Sequence, residues 1–254
     1  MSTAPGLSIV VPAYNEAARI VPSLESILAF VATEHVTAEV LVVDDGSTDR
    51  TADVVRGFIP RFAETAELRL LSNPGNRGKG YSVRHGVLES SGDEVLFTDS
   101  DLSSPIDEYR KLAEPIRRGK AAIAIGSRAI EGSQVVVHQS RVRETSGRLF
   151  NLLVRALTGL PFRDTQCGFK LFTRTAARAI FPLQTLDGFG FDVEILYIAR
   201  RLGFPAVEVP VVWRNVEGSR VGMMNGAKAF ADVLRVLKRD SNGLYRPSEG
   251  RSKR

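Results

Sequence analysis

Short apolar runs that barely alternate with polar residues place the strongest limit on what this chain can fold into. Residues 7–11, 40–43, 68–71, 94–98 and 121–125 are each nearly continuous in apolar side chains. A strand with one wet face would alternate, so these runs read as strands buried on both faces, the pattern of a parallel sheet covered by helices. Between them the apolar residues fall at helical spacing, as in Ile20, Leu24, Ile27 and Leu28, and again in Val54, Val55, Phe58 and Phe62. Pro22 is tolerable in a first turn, and Ser47 or Thr48 can cap the second helix. A third helix is expected to end near Ser90, and a fourth to run from Ser104-Pro105 to about Arg118. Strand and helix alternating in this way predict an α/β fold, with a mostly parallel twisted sheet and helices on both faces.

The ends of these strands carry the chemistry. Residues 94–98 run straight into Asp99-Ser100-Asp101. Two carboxylates spaced two apart are hard oxygen ligands suited to Mg²⁺ or Mn²⁺, and they leave most of the ion's coordination sphere for a diphosphate. A solvated turn is the competing reading of the same residues. Tyr14-Asn15-Glu16 follows the first strand, Asp44-Asp45 the second and Arg128 the fifth. A parallel sheet puts all four clusters on one edge, the edge at which open α/β sheets bind ligands. One nucleotide site explains the four together, whereas separate turns need four coincidences. The usual nucleotide motifs do not occur: no Gly-x-Gly-x-x-Gly follows the first strand, and no P-loop is found anywhere. The loop at 73–80 is basic and glycine-rich but lacks P-loop spacing, so it reads as a flexible loop rather than a phosphate cradle.

Size and charge narrow the partners. The 254 residues suffice for one large domain with a substantial core. The net charge is +5, and residues 238–254 alone carry +4 of it, so the body is nearly neutral and has no basic stripe for nucleic acid. A single cysteine, Cys167, excludes an internal disulfide and fits a reducing compartment. No run of 18 apolar residues occurs, and the first residues lack the pattern of a signal peptide, which predicts a cytoplasmic chain.

Several strings together carry a resemblance to a known family. Val10-Val11-Pro12-Ala13-Tyr14-Asn15-Glu16, Val42-Val43-Asp44-Asp45-Gly46-Ser47-Thr48-Asp49 and the Asp99/Asp101 pair resemble the nucleotide-sugar half of family-2 inverting glycosyltransferases of the GT-A fold. Asp164-Thr165-Gln166-Cys167-Gly168-Phe169-Lys170, Phe189-Gly190-Phe191-Asp192-Val193-Glu194, Trp213 and Gly218-Ser219-Arg220 resemble the dolichyl-phosphate glucosyltransferases and, next to them, the dolichyl-phosphate mannose synthases. The likeness runs from about residue 7 to 220.

It implies roles that the residue chemistry can check. Pro12, Tyr14, Glu16, Val43 and Asp45 match positions that hold the donor's base and ribose, and Asp45 is a sensible acceptor for a uracil N–H. Asp99 and Asp101 match the metal ligands, with Ser100 close by; Mg²⁺ or Mn²⁺ there would act as Lewis acid and template. Arg128 and Arg220 match positions near donor or acceptor phosphates, and Arg143 and Arg148 match positions near a lipid phosphate. For Arg141 an exposed basic helix face is an equal alternative. Asp192 lies where a base usually stands. A lipid phosphate is already an oxyanion at neutral pH and needs no base, so Asp192 is expected to orient rather than deprotonate, and it could equally cap the helix at 193–202.

Residues 222–239 form an amphipathic pattern, with Met223, Ala227, Phe230, Leu234 and Leu237 on one face and Lys228, Asp232, Arg235 and Arg239 on the other. That face either packs on the protein's own sheet or lies in a membrane interface, with the basic tail at 241–254 disordered and drawn to anionic lipid. Eukaryotic glucosyl relatives have an N-terminal anchor not seen in this sequence, which suggests a peripheral, prokaryotic enzyme. The resulting expectation is one GT-A domain over 1–240. A nucleotide-sugar half lies at about 7–128 and an acceptor half at about 129–220. Glucose would pass from UDP-glucose to a polyprenyl or dolichyl phosphate. GDP-mannose as donor, a soluble hydroxyl acceptor, and a non-catalytic nucleotide-sugar binding or scaffold protein are the alternatives.

Overall fold

A computed structural model describes residues 5–34, 36–136, 141–214 and 226–246, with the backbone alone given for 141–146, 148–150 and 226–229. Its centre is a seven-stranded sheet in the order β3-β2-β1-β4-β7-β5-β8. The strands are β1 (Leu7–Ala13), β2 (Ala38–Asp44), β3 (Glu67–Ser72), β4 (Glu94–Thr98), β5 (Ile123–Ser127), β7 (Phe169–Thr173) and β8 (Ala206–Pro210). β6 (Gln134–Val135) and β9 (Val212–Trp213) form a small parallel pair of their own.

The continuous apolar runs are explained by burial on both sides. In β1, Leu7, Ile9 and Val11 enter one core while Val10 enters the other. The helices α1 (Ile20–Glu34), α2 (Thr51–Phe62) and α4 (Tyr109–Arg117) contribute to the first core. On the opposite face lie α3 (Lys79–Glu89), α6 (Arg174–Ile180), α7 (Phe191–Arg201) and α8 (Gly226–Ser241), with Val154 of α5 (Arg141–Thr158).

β7 departs from the expected alternation. It is antiparallel to both neighbours, pairing Phe97 with Lys170 on β4 and Ile125 with Lys170 on β5. Because β7 reverses direction between them, β4 and β5 still point the same way. The C-terminal ends of β1, β2, β4 and β5 therefore share one edge.

Four local expectations change. The fourth helix begins at Tyr109 after a 3₁₀ turn over Ile106–Glu108, because Pro105 is extended and lies outside the helix. Ser47 and Thr48 do not cap α2; they bind Asn15 across the edge instead. In α8 the buried stripe is Val233 and Val236, with Asp232 also buried, while Phe230 and Leu234 are 38% and 46% exposed. The β-branched valines, left out of the apolar count, set that packing face. The tail is also more ordered than expected as far as Tyr245, which is fully buried with its hydroxyl donating to Glu194 Oε1 at 2.6 Å.

Candidate active site

The edge is built from loops that hold one another. Pro12 and Val43 stand side by side in the β1/β2 register. Beyond them Asn15, at φ 53°, accepts from Thr48 N through its side chain and donates its own N–H to Ser47 Oγ. Glu16 donates its backbone N–H to Thr51 Oγ1 and its carboxylate accepts from Arg19 at 2.7 Å. This fixes the loop that carries Tyr14 and Glu16 beside the start of α2.

Asp45 is buried and its carboxylate is largely spent on the protein. Oδ1 accepts from Asn73 Nδ2 at 2.8 Å and Arg77 N at 2.9 Å, and Oδ2 accepts from Gly78 N at 2.8 Å. Any bond to a uracil N–H would use what remains of Oδ2. The glycine-rich loop is consequently not a slack connection, because Asp45 folds it inward. Gly46, at φ 69°, lies against the backbone of Gly75, where a side chain would not fit.

The folded loop delivers Lys79, a residue to which the sequence reading gave no role. Its ammonium pairs with Asp99 Oδ1 at 2.5 Å. Burial opposes charge on Lys79, but Asp99, Asp192 and Asp101 outweigh it and raise its pKa above the ordinary lysine value. Asp99 is half-buried, and its backbone N–H donates to Gly168 O at 3.1 Å. Gly168 is glycine for a reason of space: a Cβ there would fall on the Asp99 carboxylate. Asp101 Oδ1 accepts from Ser103 N and Ser103 Oγ, which leaves Oδ2 for another ligand. Leu102 follows at φ 46°, a strained conformation for a bulky side chain, in a turn closed by its N–H on Asp99 O at 3.1 Å. Ser100 sits half-buried in the same turn.

Among the described residues no group of three or more His, Cys, Asp or Glu is placed to hold a metal. Asp99 and Asp101 nevertheless fit Mg²⁺ or Mn²⁺ as donor types, since a site with two protein carboxylates completes its shell with substrate oxygens and water.

Arg128 is committed to Asp164. Its Nε and Nη2 donate to the two carboxylate oxygens at 2.6 and 2.9 Å, and its guanidinium lies 5.5 Å from the Trp213 ring centroid. Burial disfavours the charge, yet Asp164 raises the Arg128 pKa and Arg128 in turn lowers that of Asp164. Among the described residues, the fork leaves Nη1 and the second hydrogen of Nη2 for another acceptor.

Asp192 does not cap α7. It lies in the first turn behind Gly190, almost fully buried, with Oδ1 in a tight ion pair with Lys170 Nζ. Burial raises its pKa against the pull of Lys170 and Lys79. The neighbouring Glu194 accepts from Thr185 N, Leu186 N, Thr185 Oγ1 and Tyr245 Oη, and so anchors a loop and the C-terminal segment. Arg141, Arg143 and Arg148 lie on α5, with side chains outside the described residues, as is the whole of Arg220.

Lys170 could have been found from the sequence. A lysine in the middle of Phe169-Lys170-Leu171-Phe172 interrupts a strand that is otherwise apolar on both faces, and such a charge needs a buried partner.

Residues 8–181 match the model of the glycosyl transferase family 2 domain. A dolichyl-phosphate beta-glucosyltransferase of Trichomonas vaginalis is 38% identical over 94% of this chain and 72% of its own length. The human dolichyl-phosphate beta-glucosyltransferase is 34% identical over 96% and 79% respectively. Among solved structures, glucosyl-3-phosphoglycerate synthase from Mycobacterium tuberculosis, in complex with Mn²⁺, uridine diphosphate and glucosyl-3-phosphoglycerate, superposes with a TM-score of 0.64 at 23% identity. It covers 97% of this chain and 82% of that one. Mannosyl-3-phosphoglycerate synthase from Rubrobacter xylanophilus gives a TM-score of 0.66 at 20% identity, covering 98% and 79%. These two share the GT-A fold seen here. With its sheet, its acidic strand ends and its family match in agreement, the chain belongs to glycosyl transferase family 2.

Proposed function

We propose that this glycosyltransferase moves glucose from UDP-glucose to a polyprenyl phosphate of the dolichyl type, with inversion. The observation that carries the reading is the Asp99/Lys79 pair at the end of β4, which sets an anion and a cation where a nucleoside diphosphate meets the sheet edge. Identity of 34–38% with relatives named dolichyl-phosphate beta-glucosyltransferase supports the sugar and the acceptor.

In this mechanism residues 7–128 bind the donor and residues 129–220 the acceptor. Pro12, Tyr14, Glu16 and Val43 frame the base and ribose, and Asp45 acts mainly by shaping the loop that presents Lys79. Asp99 and Asp101, with Ser100 between them, would hold Mg²⁺ or Mn²⁺, which supplies Lewis acidity toward the departing diphosphate when bound. Lys79 adds a second positive charge there. An oxygen of the lipid phosphate attacks the anomeric carbon as the bond to the donor diphosphate breaks, and the electron pair leaves on that diphosphate. The nucleophile is already ionised near neutral pH, which agrees with an Asp192 held by a lysine rather than poised as a base. Arg128 through Nη1, with Arg143, Arg148 and Arg220, is assigned to the phosphates.

No helix among the described residues is long and apolar enough to cross a membrane. Exposed Leu152 and Leu153 on α5, Phe230 and Leu234 on α8, and the basic tail are assigned to peripheral contact with the cytoplasmic face of a membrane.

Incubating labelled UDP-glucose or GDP-mannose with Mg²⁺ or Mn²⁺ and a short polyprenyl phosphate tests the reading. Glucose extracted into the organic phase is the expected result, and Asp101→Ala should lower that turnover by about a thousandfold. Lipid-linked mannose would replace the donor. No lipid product, with UDP binding intact, would overturn the acceptor.

A further inference from the structure

Lys170 has no path to a substrate. It is 0% exposed and sits in mid-strand on β7, between β4 and β5. Its ammonium donates to Cys167 O at 2.6 Å and to Asp192 Oδ1, and lies 5.1 Å from the centroid of the Phe97 ring. These contacts satisfy it within the protein. Stability gives no reason to place it there, since a buried ion pair replaced by well-packed apolar residues is often neutral or stabilising. β7 offers the apolar alternative directly, because Phe172, two residues on and on the same face, is an ordinary core side chain.

What Lys170 does reach is Asp192, and through it the donor end of the site. Gly80, next to Lys79, packs its backbone against the Cβ of Phe191, next to Asp192, and Asp192 and Asp99 both act on Lys79. The charges therefore alternate from the core to the edge: Lys170, Asp192, Lys79, Asp99. Without Lys170, nothing on the core side fixes the Asp192 carboxylate in its place behind the Lys79/Asp99 pair.

We propose that Lys170 is a positioning residue for sugar transfer: by holding Asp192 from inside the sheet, it fixes the carboxylate that the donor end of the site requires in place. This rests on the transfer reaction proposed above. Lys170 acts only through Asp192, so the two positions should behave as one unit.

A double-mutant cycle of Lys170→Met, Asp192→Asn and the combined variant tests this in the full-length protein. kcat, KM for UDP-glucose, Mn²⁺-dependent UDP affinity and Tm are measured for each. Either single change should lower kcat by about 30-fold while UDP affinity stays within about threefold. The combined variant should recover Tm, because no charge is left buried alone, yet show a kcat no lower than that of the weaker single variant and still well below wild type. Recovery of kcat together with Tm would mean the pair serves stability only and would overturn the proposal. Losses in kcat that multiply would overturn it as well, since the residues would then act independently. If Lys170→Met alone does not fold, Asp192→Asn and the combined variant are compared directly. Equal kcat supports the proposal, and a further drop in the combined variant overturns it. A wild-type protein inactive with both donors would sink the transfer reading, and this inference with it. An active wild type with independent effects sinks the inference alone.

Discussion

Asp45 and Asp192 are both buried carboxylates near the same sheet edge, and the protein satisfies them in opposite ways. Asp45 is met by neutral donors, two backbone amides and the Asn73 side chain, so its energy goes into the shape of the loop at 73–80. Asp192 is met by an ammonium from the core and feels a second one from the edge. The first arrangement is short-ranged and directional and fixes a backbone. The second spreads along a row of charges, so that moving one member shifts its neighbours. One corner therefore fixes the shape of a loop, and the other the placing of a row of charges.

The contrast breaks most readily at Gly168, which gives Asp99 its room. Gly168→Ala should displace that carboxylate from Lys79 and lower kcat by about a hundredfold, with Tm little changed, because the misplacement is confined to the reacting end. Activity within about threefold of wild type would show that the charge row tolerates movement. A smaller and different effect is expected from Asp45→Asn, which turns an amide toward the Gly78 N–H. KM for the donor should rise about tenfold while kcat stays within about threefold, with a stability loss of about 1–3 kcal/mol in denaturant titration. A fall in kcat instead would place Asp45 in the same functional class as Asp192.

The smallest effect concerns the Arg128/Asp164 fork, a charged pair held as rigidly as a neutral one. Arg128 keeps the folded-state pKa of Asp164 below its unfolded value near 3.9, so the stabilisation is present above about pH 4 and is lost as pH falls through the folded pKa. Thermal melts of wild type and Asp164→Asn should differ most at neutral pH and converge in acid. A gap independent of pH would mean that shape, and not charge, is what the fork supplies.

Much of the N-terminal half was legible because its signals are local. A run such as Ile9-Val10-Val11 can only be a strand covered on both sides, and its polar end marks the edge. The residues that join the two halves were not legible. That β7 runs antiparallel between β4 and β5 depends on pairings between residues far apart in the chain, which no short pattern encodes. Lys79 looked like part of a mobile glycine loop because the carboxylate that folds the loop, Asp45, lies 34 positions earlier. In α8 the smaller Val233 and Val236 turn the buried stripe away from Phe230 and Leu234, while Leu237 still packs against the core, a shift that the larger side chains hide in the sequence.

The reversed strand also dictates an order of assembly. As the chain leaves the ribosome, β1 to β4 can pair among themselves, but β5 has no neighbour to join until residues 169–173 arrive to bridge it. Until then β4 presents an open, apolar border of the kind that recruits other chains. The first 128 residues therefore cannot be cut out and kept as a well-behaved module. It is completed only from its far side, by the same short strand that carries Lys170.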